Sequence, residues 1–166
     1  MTSFVSTIDT QFGPFTLIVD ADGTVLAAGW GGDADEVAGR IHPGLRSPTA
    51  RRNDLGAASR AAIAYHRGEL DAPDEVPVRQ HSDGTFLPAA WKTLRDVQAG
   101  ERVTYTELAA RTGNPAAVRA AAQACARNAA ALFVPCHRVI RIDGTLGGFR
   151  WGLEVKRLLL THEMAG

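Results

Sequence analysis

Residues 103–128, VTYTELAARTGNPAAVRAAAQACARN, predict two short helices joined by a turn that contains a glycine. Thr104 and Glu107 match the T-x-x-E capping box, in which the two side chains satisfy backbone N–H groups at a helix start. Thr112-Gly113 ends the first helix, and Asn114-Pro115 predicts the cap and first turn of the second. The arrangement indicates a helix-turn-helix, although a plain helical hairpin has the same pattern.

The second predicted helix carries mostly small side chains between residues 116 and 128. Arg119, Gln123 and Arg127 recur every four residues and therefore share one polar face. The minor groove of DNA is about 6 Å wide, and a helix of alanines with one protruding arginine would fit it closely. Tight packing against neighbouring helices would favour the same composition, so the helix alone leaves both interpretations open.

On the amino-terminal side of this stretch, the pattern predicts a small antiparallel sheet with helices. Alternating apolar residues predict strands at 4–8, 15–20 and 25–30. Helical periodicity is found over 33–40, 54–67 and 86–98, with Asp54 as a cap. Residues 41–53 read as a loop. The predicted class is therefore α/β (α+β), with an amino-terminal α/β domain over 1–80 and a mainly helical domain with the helix-turn-helix over 81–166.

The composition excludes several classes of protein. The chain has 166 residues, of which 45% are hydrophobic and 22% charged, as in ordinary globular domains. No apolar run approaches the roughly 20 residues that span a bilayer, and the first residues lack the features of a secretory signal. We therefore expect a cytoplasmic protein that binds no membrane. Free thiols are expected at Cys125 and Cys136, and neither a metal nor a cofactor is expected, since four well-spaced Cys/His ligands are absent.

Charge is distributed unevenly along this neutral chain. Residues 1–84 carry seven arginines and twelve acids, a net charge of −5, whereas residues 85–166 carry eleven Lys/Arg and six acids, a net charge of +5. A basic half indicates an anionic partner for that half. A solvated charged face is the alternative, and charge alone does not distinguish the two.

On the carboxy-terminal side, residues 133–140, FVPCHRVI, set a reactive quartet between apolar neighbours. Cysteine is a strong nucleophile as the thiolate, which a nearby base or cation favours. On an extended strand Cys136 and His137 would point to opposite faces, so they cooperate only if the chain turns or a water bridges them. Glu154 and Glu163 are the candidates for orienting the histidine. A buried inert cysteine beside a satisfied histidine is the alternative explanation.

The following residues, RIDGTLGGFRWG at 141–152, favour a binding site. Asp143-Gly144 predicts a turn, and Gly147-Gly148 predicts a flexible wall that carries Phe149 and Trp151. Aromatic side chains on such a wall would form a pocket for a flat ring. Cys125 lies off the face that carries Arg119, and we expect it in the core.

From Asn128 to Glu163, with PCHR at 135–138, the glycine loop and the GLEVKR helix start, the sequence closely resembles the O6-alkylguanine-DNA alkyltransferases, also called methylated-DNA–protein-cysteine methyltransferases. The resemblance extends back through the helix-turn-helix and weakly over the whole chain. It implies a ribonuclease-H-like amino-terminal domain and a monomeric, cofactor-free DNA-repair enzyme. Such an enzyme flips O6-alkylguanine, mainly O6-methylguanine, out of double-stranded DNA and transfers the alkyl group to its own cysteine in a single turnover. O4-alkylthymine stays open as a further substrate.

The resemblance also implies catalytic roles for five residues. Cys136 would accept the alkyl group, and His137 would relay the thiol proton through a water while Glu163 polarises it. Asn128 would stabilise the turn that presents the cysteine. Tyr105 would press on the phosphate of the target and assist the departing guanine.

The remaining implied roles concern DNA and the base. Arg119 would enter the helix stack in place of the flipped base, which chemistry on a base requires. Further DNA contacts are implied for Tyr105, Gln123 and Arg127. The implied pocket residues are Pro135, Val139, Phe149, Arg150 and Trp151. Departures from the family pattern occur at Ala122, Gln123, Ala129 and Phe149.

Two other functions have the same motifs. A DNA-binding sensor would flip the damaged base without repairing it, but the relatives of that type lack the nucleophile that Cys136 supplies. A cysteine hydrolase would use the same Cys-His pair and would turn over repeatedly, whereas an alkylated thiol has no easy route back.

Overall fold

The computed structural model describes residues 1–165 and divides into two compact units. The first unit contains residues 1–81 and 129–133, and the second contains residues 82–128 and the described residues from 134 onward. Residues 129–133 thus return to the first unit between the two parts of the second. The assignment of 1–80 and 81–166 as separate domains stays a prediction.

The first unit is built on a four-stranded sheet of order β3-β2-β1-β4. Its strands are β1 (Ser3–Thr10), β2 (Gly13–Val19), β3 (Val25–Trp30) and β4 (Thr49–Arg51). The antiparallel meander of β1, β2 and β3 is as predicted. The sheet as a whole is mixed, because β4 pairs parallel to β1 within the segment predicted as a loop. All three residues of β4 are exposed, so no apolar alternation marks the strand in the sequence.

Two helices accompany this sheet, α1 (Ala34–Gly39) and α2 (Ala57–His66). The Asp33 side chain caps α1 by accepting hydrogen bonds from the backbone N–H groups of Asp35 and Glu36. The start of α2 is later than predicted, since the Asp54 carboxylate binds the N–H of Gly56, which is the actual cap residue. Apolar residues of β1, β2, β3 and α1 form the core, and Ala129 packs into it.

The second unit consists of helices and a two-stranded ribbon. Its elements are α3 (Phe86–Arg95), β5 (Val103–Thr104), α4 (Tyr105–Arg111), α5 (Val118–Ala126), β6 (Val139–Ile140) and α6 (Leu153–Met164). Helix α4 packs against α5, and both pack against α3. The predicted capping box is confirmed, because Thr104 and Glu107 each bind the other's backbone N–H. This arrangement is consistent with a helix-turn-helix, and the predicted α/β (α+β) class is confirmed.

Helix α5 begins later than the sequence pattern predicts. The Asn114 side chain accepts a hydrogen bond from the N–H of Ala116 within the turn, and the cap residue is Ala117, whose backbone is not helical. Ala121 and Ala124 are buried, and the indole N–H of Trp91 donates to the carbonyl of Ala124 at 2.8 Å. One face of α5 therefore packs inside the unit, as the packing interpretation predicts, and the other face is exposed. A fit of that exposed face to a DNA groove stays a prediction.

Over residues 1–165, no helix combines the length and the apolar character needed to cross a membrane.

Candidate active site

The Cys136 thiol lies in a tight turn instead of on an extended strand. Residues Cys136–Arg138 form one 3₁₀ turn that leads into β6. The buried Asn128 amide donates from Nδ2 to the Val134 carbonyl at 2.8 Å and to Cys136 Sγ at 3.2 Å. Asn128 therefore fixes the backbone of the turn and the position of the sulfur with one side chain.

Next to the thiol, His137 belongs to a buried network of charged groups. His137 Nε2 is 2.6 Å from Glu163 Oε2. Arg138 donates from Nε to Glu163 Oε1 at 2.9 Å, from Nη2 to Oε2 at 3.0 Å, and from Nη1 to the Val97 carbonyl at 2.6 Å. Of the two candidate acids, the structure brings Glu163 to the histidine, whereas Glu154 pairs with Arg157 on the surface.

The charges of this network fix the tautomer of His137. Burial raises the pKa of the Glu163 carboxyl, but the hydrogen bonds from His137 and Arg138 and the charge of Arg138 outweigh burial and hold that pKa well below the usual range. Burial lowers the pKa of His137, so its imidazole is neutral at pH 7. An ionised carboxylate only accepts hydrogen bonds, hence Nε2–H donates and Nδ1 keeps its lone pair. Among residues 1–165, Nδ1 has no hydrogen-bond partner.

The resting thiol of Cys136 is protonated, because burial raises its pKa more than its surroundings lower it. The Asn128 amide and the Lys156 charge oppose burial and favour the thiolate. A neutral buried thiol reacts only when a base removes its proton. The neutral imidazole of His137, the next residue in the sequence, is the candidate for that base.

A cavity of about 610 Å³ opens at Cys136. This volume is within the range of small-molecule binding sites. Of the residues for which the resemblance implies a catalytic, DNA-binding or pocket role, five line this cavity: Tyr105, Arg119, Cys136, Phe149 and Arg150. The ribbon explains part of this grouping. Val103 pairs in parallel with Val139 and Thr104 with Ile140, so Tyr105, the first residue of α4, leaves the ribbon at the same end as Arg141, which also lines the cavity.

Other predicted site residues lie outside the cavity lining. Pro135 and Val139 are buried on either side of the 3₁₀ turn. Trp151 packs edge-on against Phe149, with ring centroids 5.1 Å apart. Gln123 and Arg127 are exposed on α5 and at its carboxy-terminal cap.

Comparison with known proteins identifies the family. Residues 85–165 match the family model of the 6-O-methylguanine DNA methyltransferase DNA-binding domain. A methylated-DNA–protein-cysteine methyltransferase of Shigella flexneri is 32% identical over 160 residues, which cover 94% of this chain and 92% of the relative. The chain belongs to the methylated-DNA–protein-cysteine methyltransferase family.

Other members of this methyltransferase family, and one solved structure, match the chain over different lengths. The bifunctional transcriptional activator/DNA repair enzyme Ada of Escherichia coli is 51% identical over 95 residues, which cover 57% of this chain and 27% of Ada. Across Ada and the relatives from Haemophilus influenzae and Kluyveromyces lactis, the chain spans between 27% and 64% of the relative's length. OGT of Mycobacterium tuberculosis, solved in complex with DNA, has a TM-score of 0.80 and 29% identity, covering 98% of this chain and 93% of that chain.

Lys156 is a residue of this family member that the sequence analysis missed. It is fully buried, and its ammonium donates to the carbonyls of Val139 at 2.7 Å, Leu146 at 2.5 Å and Gly148 at 3.2 Å. Burial lowers the pKa of Lys156, and the neighbouring thiols oppose that effect. The sequence contained a sign of this burial, because Lys156 has helical spacing to Leu159, Leu160 and Glu163, which are the other buried residues of α6. A lysine on the buried face of a helix is unusual.

Cys125 lines the same cavity as Cys136 and is half-buried, so the expectation that it lies in the core is wrong. The core face of α5 is formed by Ala121 and Ala124, and each further residue turns about 100° around the helix. Position 125 therefore turns from the core toward the cavity, where Ala122 also lies.

Tyr105 is held by a close approach of the glycine loop. Burial, and then the two neighbouring thiols, raise the pKa of Tyr105 to about 12, so its phenol is neutral. Gly147 has φ +74°, and a Cβ at that position would lie 2.9 Å from Tyr105 Oη and 3.2 Å from its ring. Gly147 therefore serves both the backbone conformation and the position of the phenol.

If the chain transfers an alkyl group as its relatives' names say, we expect Gly147→Ala to lower the rate of that transfer at least about tenfold, because displacing Tyr105 by a fraction of an ångström disturbs the site. Gly144→Ala is the matched control: Gly144 has φ +87° with nothing within 4 Å of its Cβ position, so it carries the backbone strain alone. Single-turnover rates and melting temperatures of both variants should be compared. Equal rates in the two variants would exclude the contact with Tyr105 as the cause.

Proposed function

We propose that this chain repairs O6-alkylguanine, mainly O6-methylguanine, in double-stranded DNA by transferring the alkyl group irreversibly to its own Cys136. It acts as a monomer and once per molecule. The observation that carries the proposal is the Cys136 sulfur at a cavity wall, positioned by Asn128, next to a histidine kept neutral and oriented by Glu163. Membership of the methylated-DNA–protein-cysteine methyltransferase family supports it.

In the proposed reaction, Cys136 Sγ attacks the alkyl carbon in line with the bond to guanine O6. The S–C bond forms, the C–O6 bond breaks, and its electron pair goes to the guanine. His137 Nδ1 takes the thiol proton through a bridging water, while Asn128 and the Lys156 charge favour the developing thiolate. The neutral phenol of Tyr105 gives its proton to the departing guanine and regains one from water, to which His137 releases the thiol proton, so that the net reaction moves one proton from sulfur to guanine.

Single turnover follows from the product that this reaction leaves on the protein. An alkylated cysteine is a thioether, and nothing in a hydrolytic cycle removes a methyl group from it easily. The buried position of Cys136 is consistent with this chemistry, since an attack on a methyl carbon benefits from excluded water.

Access to the base requires that it leaves the helix stack. Arg119 is exposed on α5 and lines the cavity, and its neighbours Ala122 and Ala126 are small, so the helix can approach a groove closely. We propose that Arg119 fills the gap left by the flipped base, and that backbone groups of Cys136, Val139 and Arg150 bind the guanine edge. The solved complex of M. tuberculosis OGT with DNA supports DNA as the partner.

The proposal is tested by incubating the protein with a duplex that contains one O6-methylguanine and measuring the protein mass. We expect each chain to gain one methyl group on Cys136 and then to stop reacting. Binding without a mass gain would indicate a sensor of damage, and product formation beyond one equivalent would indicate a hydrolase. Either outcome would contradict the proposal.

Arg119→Ala separates base flipping from chemistry. Since unstacking a base costs a few kcal/mol, the rate with damaged duplex should fall about 10- to 1000-fold. The rate with free O6-benzylguanine, which needs no flipping, should stay near the wild-type rate.

Arg127→Ala is the control, because Arg127 is exposed at the end of the same helix but does not line the cavity. It should weaken binding to damaged and undamaged duplex alike and reduce the salt dependence of binding. If Arg119→Ala slowed the free base as much as the duplex, Arg119 would support the cavity instead of the flipped state.

A further inference from the structure

The glycine-rich wall of the cavity, residues 146–151, is held to the rest of the second unit at two places. At the base of the wall, the ammonium of the buried Lys156 holds the carbonyls of Leu146 and Gly148 through partly buried hydrogen bonds. At the rim, the exposed Arg150 donates from Nη2 to the carbonyl of Ala126 at 2.5 Å. Ala126 is the last residue of α5, so the Arg150 side chain joins the wall to that helix.

The two attachments differ in strength. Lys156 is desolvated and directs all three ammonium hydrogens at carbonyls, so releasing it would leave buried polar groups unpaired. The Arg150 contact is exposed, and water can replace it at little cost. Its acceptor is one of the carbonyls that a helix end leaves without an internal partner, which water would also solvate. If the wall moves, the Arg150 contact at its rim should therefore break before the Lys156 contacts at its base.

Arg150 and Ala126 both line the cavity that contains Cys136, and Phe149, the aromatic residue of the wall, precedes Arg150 directly. We propose that Arg150 is a specificity-determining residue: its bond to the carboxy-terminal end of α5 straps the rim of the cavity and restricts the size of the O6-alkyl group. Small groups such as methyl fit under the strap. Bulky groups such as benzyl require that it opens. This inference rests on the proposed alkyl transfer.

The test compares two duplexes of the same sequence, one with O6-methylguanine and one with O6-benzylguanine, in single-turnover reactions. We expect Arg150→Gln to raise the ratio of the benzyl rate to the methyl rate about two- to fivefold, the scale of an exposed contact of a charged side chain. Arg141→Gln is the matched control. It removes the same charge from the same cavity lining and leaves the strap intact, so its ratio should equal that of the wild type.

Three outcomes would overturn the inference alone, and a fourth would overturn the proposed function as well. A fall of both rates by the same factor in Arg150→Gln, with a lower melting temperature, would show a structural role. An equal fall with a salt slope reduced by about one would show that Arg150 binds phosphate. A change of ratio in Arg141→Gln as well would trace the effect to charge. If the wild type accepted neither alkyl group, the proposed function itself would fail, and this inference with it.

Discussion

Cys136→Ala should bind duplex DNA with the affinity of the wild type and accept no alkyl group from any substrate. The variant removes the nucleophile, whereas the exposed arginines and small residues of α5 stay in place. The loss is complete because no other group in the cavity matches the position of this sulfur. Binding is measured by titration with labelled duplex, and transfer by the mass of the protein after prolonged incubation.

Cys125 is the obvious competitor, since both thiols line the cavity. Burial raises the pKa of each thiol, but only Cys136 has the Asn128 amide among the groups that oppose burial. We therefore expect Cys125→Ala to gain one methyl group per chain, like the wild type. A methyl group mapped to Cys125 in the wild type or in Cys136→Ala would contradict the assignment of the nucleophile.

Glu163→Gln should destabilise the protein by about 3 to 5 kcal/mol and slow transfer at least about 100-fold. An amide has one acceptor oxygen, so it cannot satisfy both the fork of Arg138 and the Nε2–H of His137. The variant leaves a buried guanidinium without its counter-charge. Urea unfolding at pH 7 measures the first effect, and single-turnover kinetics the second.

The destabilisation should depend on pH with a defined sign. The pKa of Glu163 is lower in the fold than its ordinary value of 4.5, so the carboxylate's contribution is complete above that pH and is lost as the pH falls toward the folded value. The free-energy difference between wild type and Glu163→Gln should therefore shrink below pH 4.5. Glu154→Gln, which breaks the exposed pair with Arg157 on the same helix, should leave stability unchanged at every pH. A constant difference down to acid pH would contradict an ionised Glu163.

Local signals in the sequence predicted much of the fold and of the candidate site. Apolar alternation located β1, β2 and β3, and the capping box located α4. Strand β4 escaped because its three residues are exposed and its pairing depends on the edge of β1, which is distant in the sequence. The start of α5 escaped because the Asn114 side chain closes a turn instead of capping the helix.

The chemistry of the site depends on contacts that no local pattern encodes. The 3₁₀ turn at Cys136 and its bond to Asn128 join residues eight positions apart, and the resemblance to the alkyltransferases suggested that role before the geometry was known. The bonds of Lys156 go to backbone carbonyls, which every residue carries, so the sequence does not reveal their identity. The position of Lys156 on the buried face of α6 was the one sign of its burial that the sequence contained.

Glu163 links chemistry and folding in a way that constrains how this protein can change. Through Arg138 and the Val97 carbonyl, the carboxylate that orients His137 also ties α6 and the cysteine turn to the segment after α3. A substitution that tunes the basicity of the histidine there would also weaken the fold, so the two traits cannot be selected independently at this position. Adaptation of reactivity is therefore directed to the exposed rim of the cavity, where side chains can vary at a smaller cost in stability.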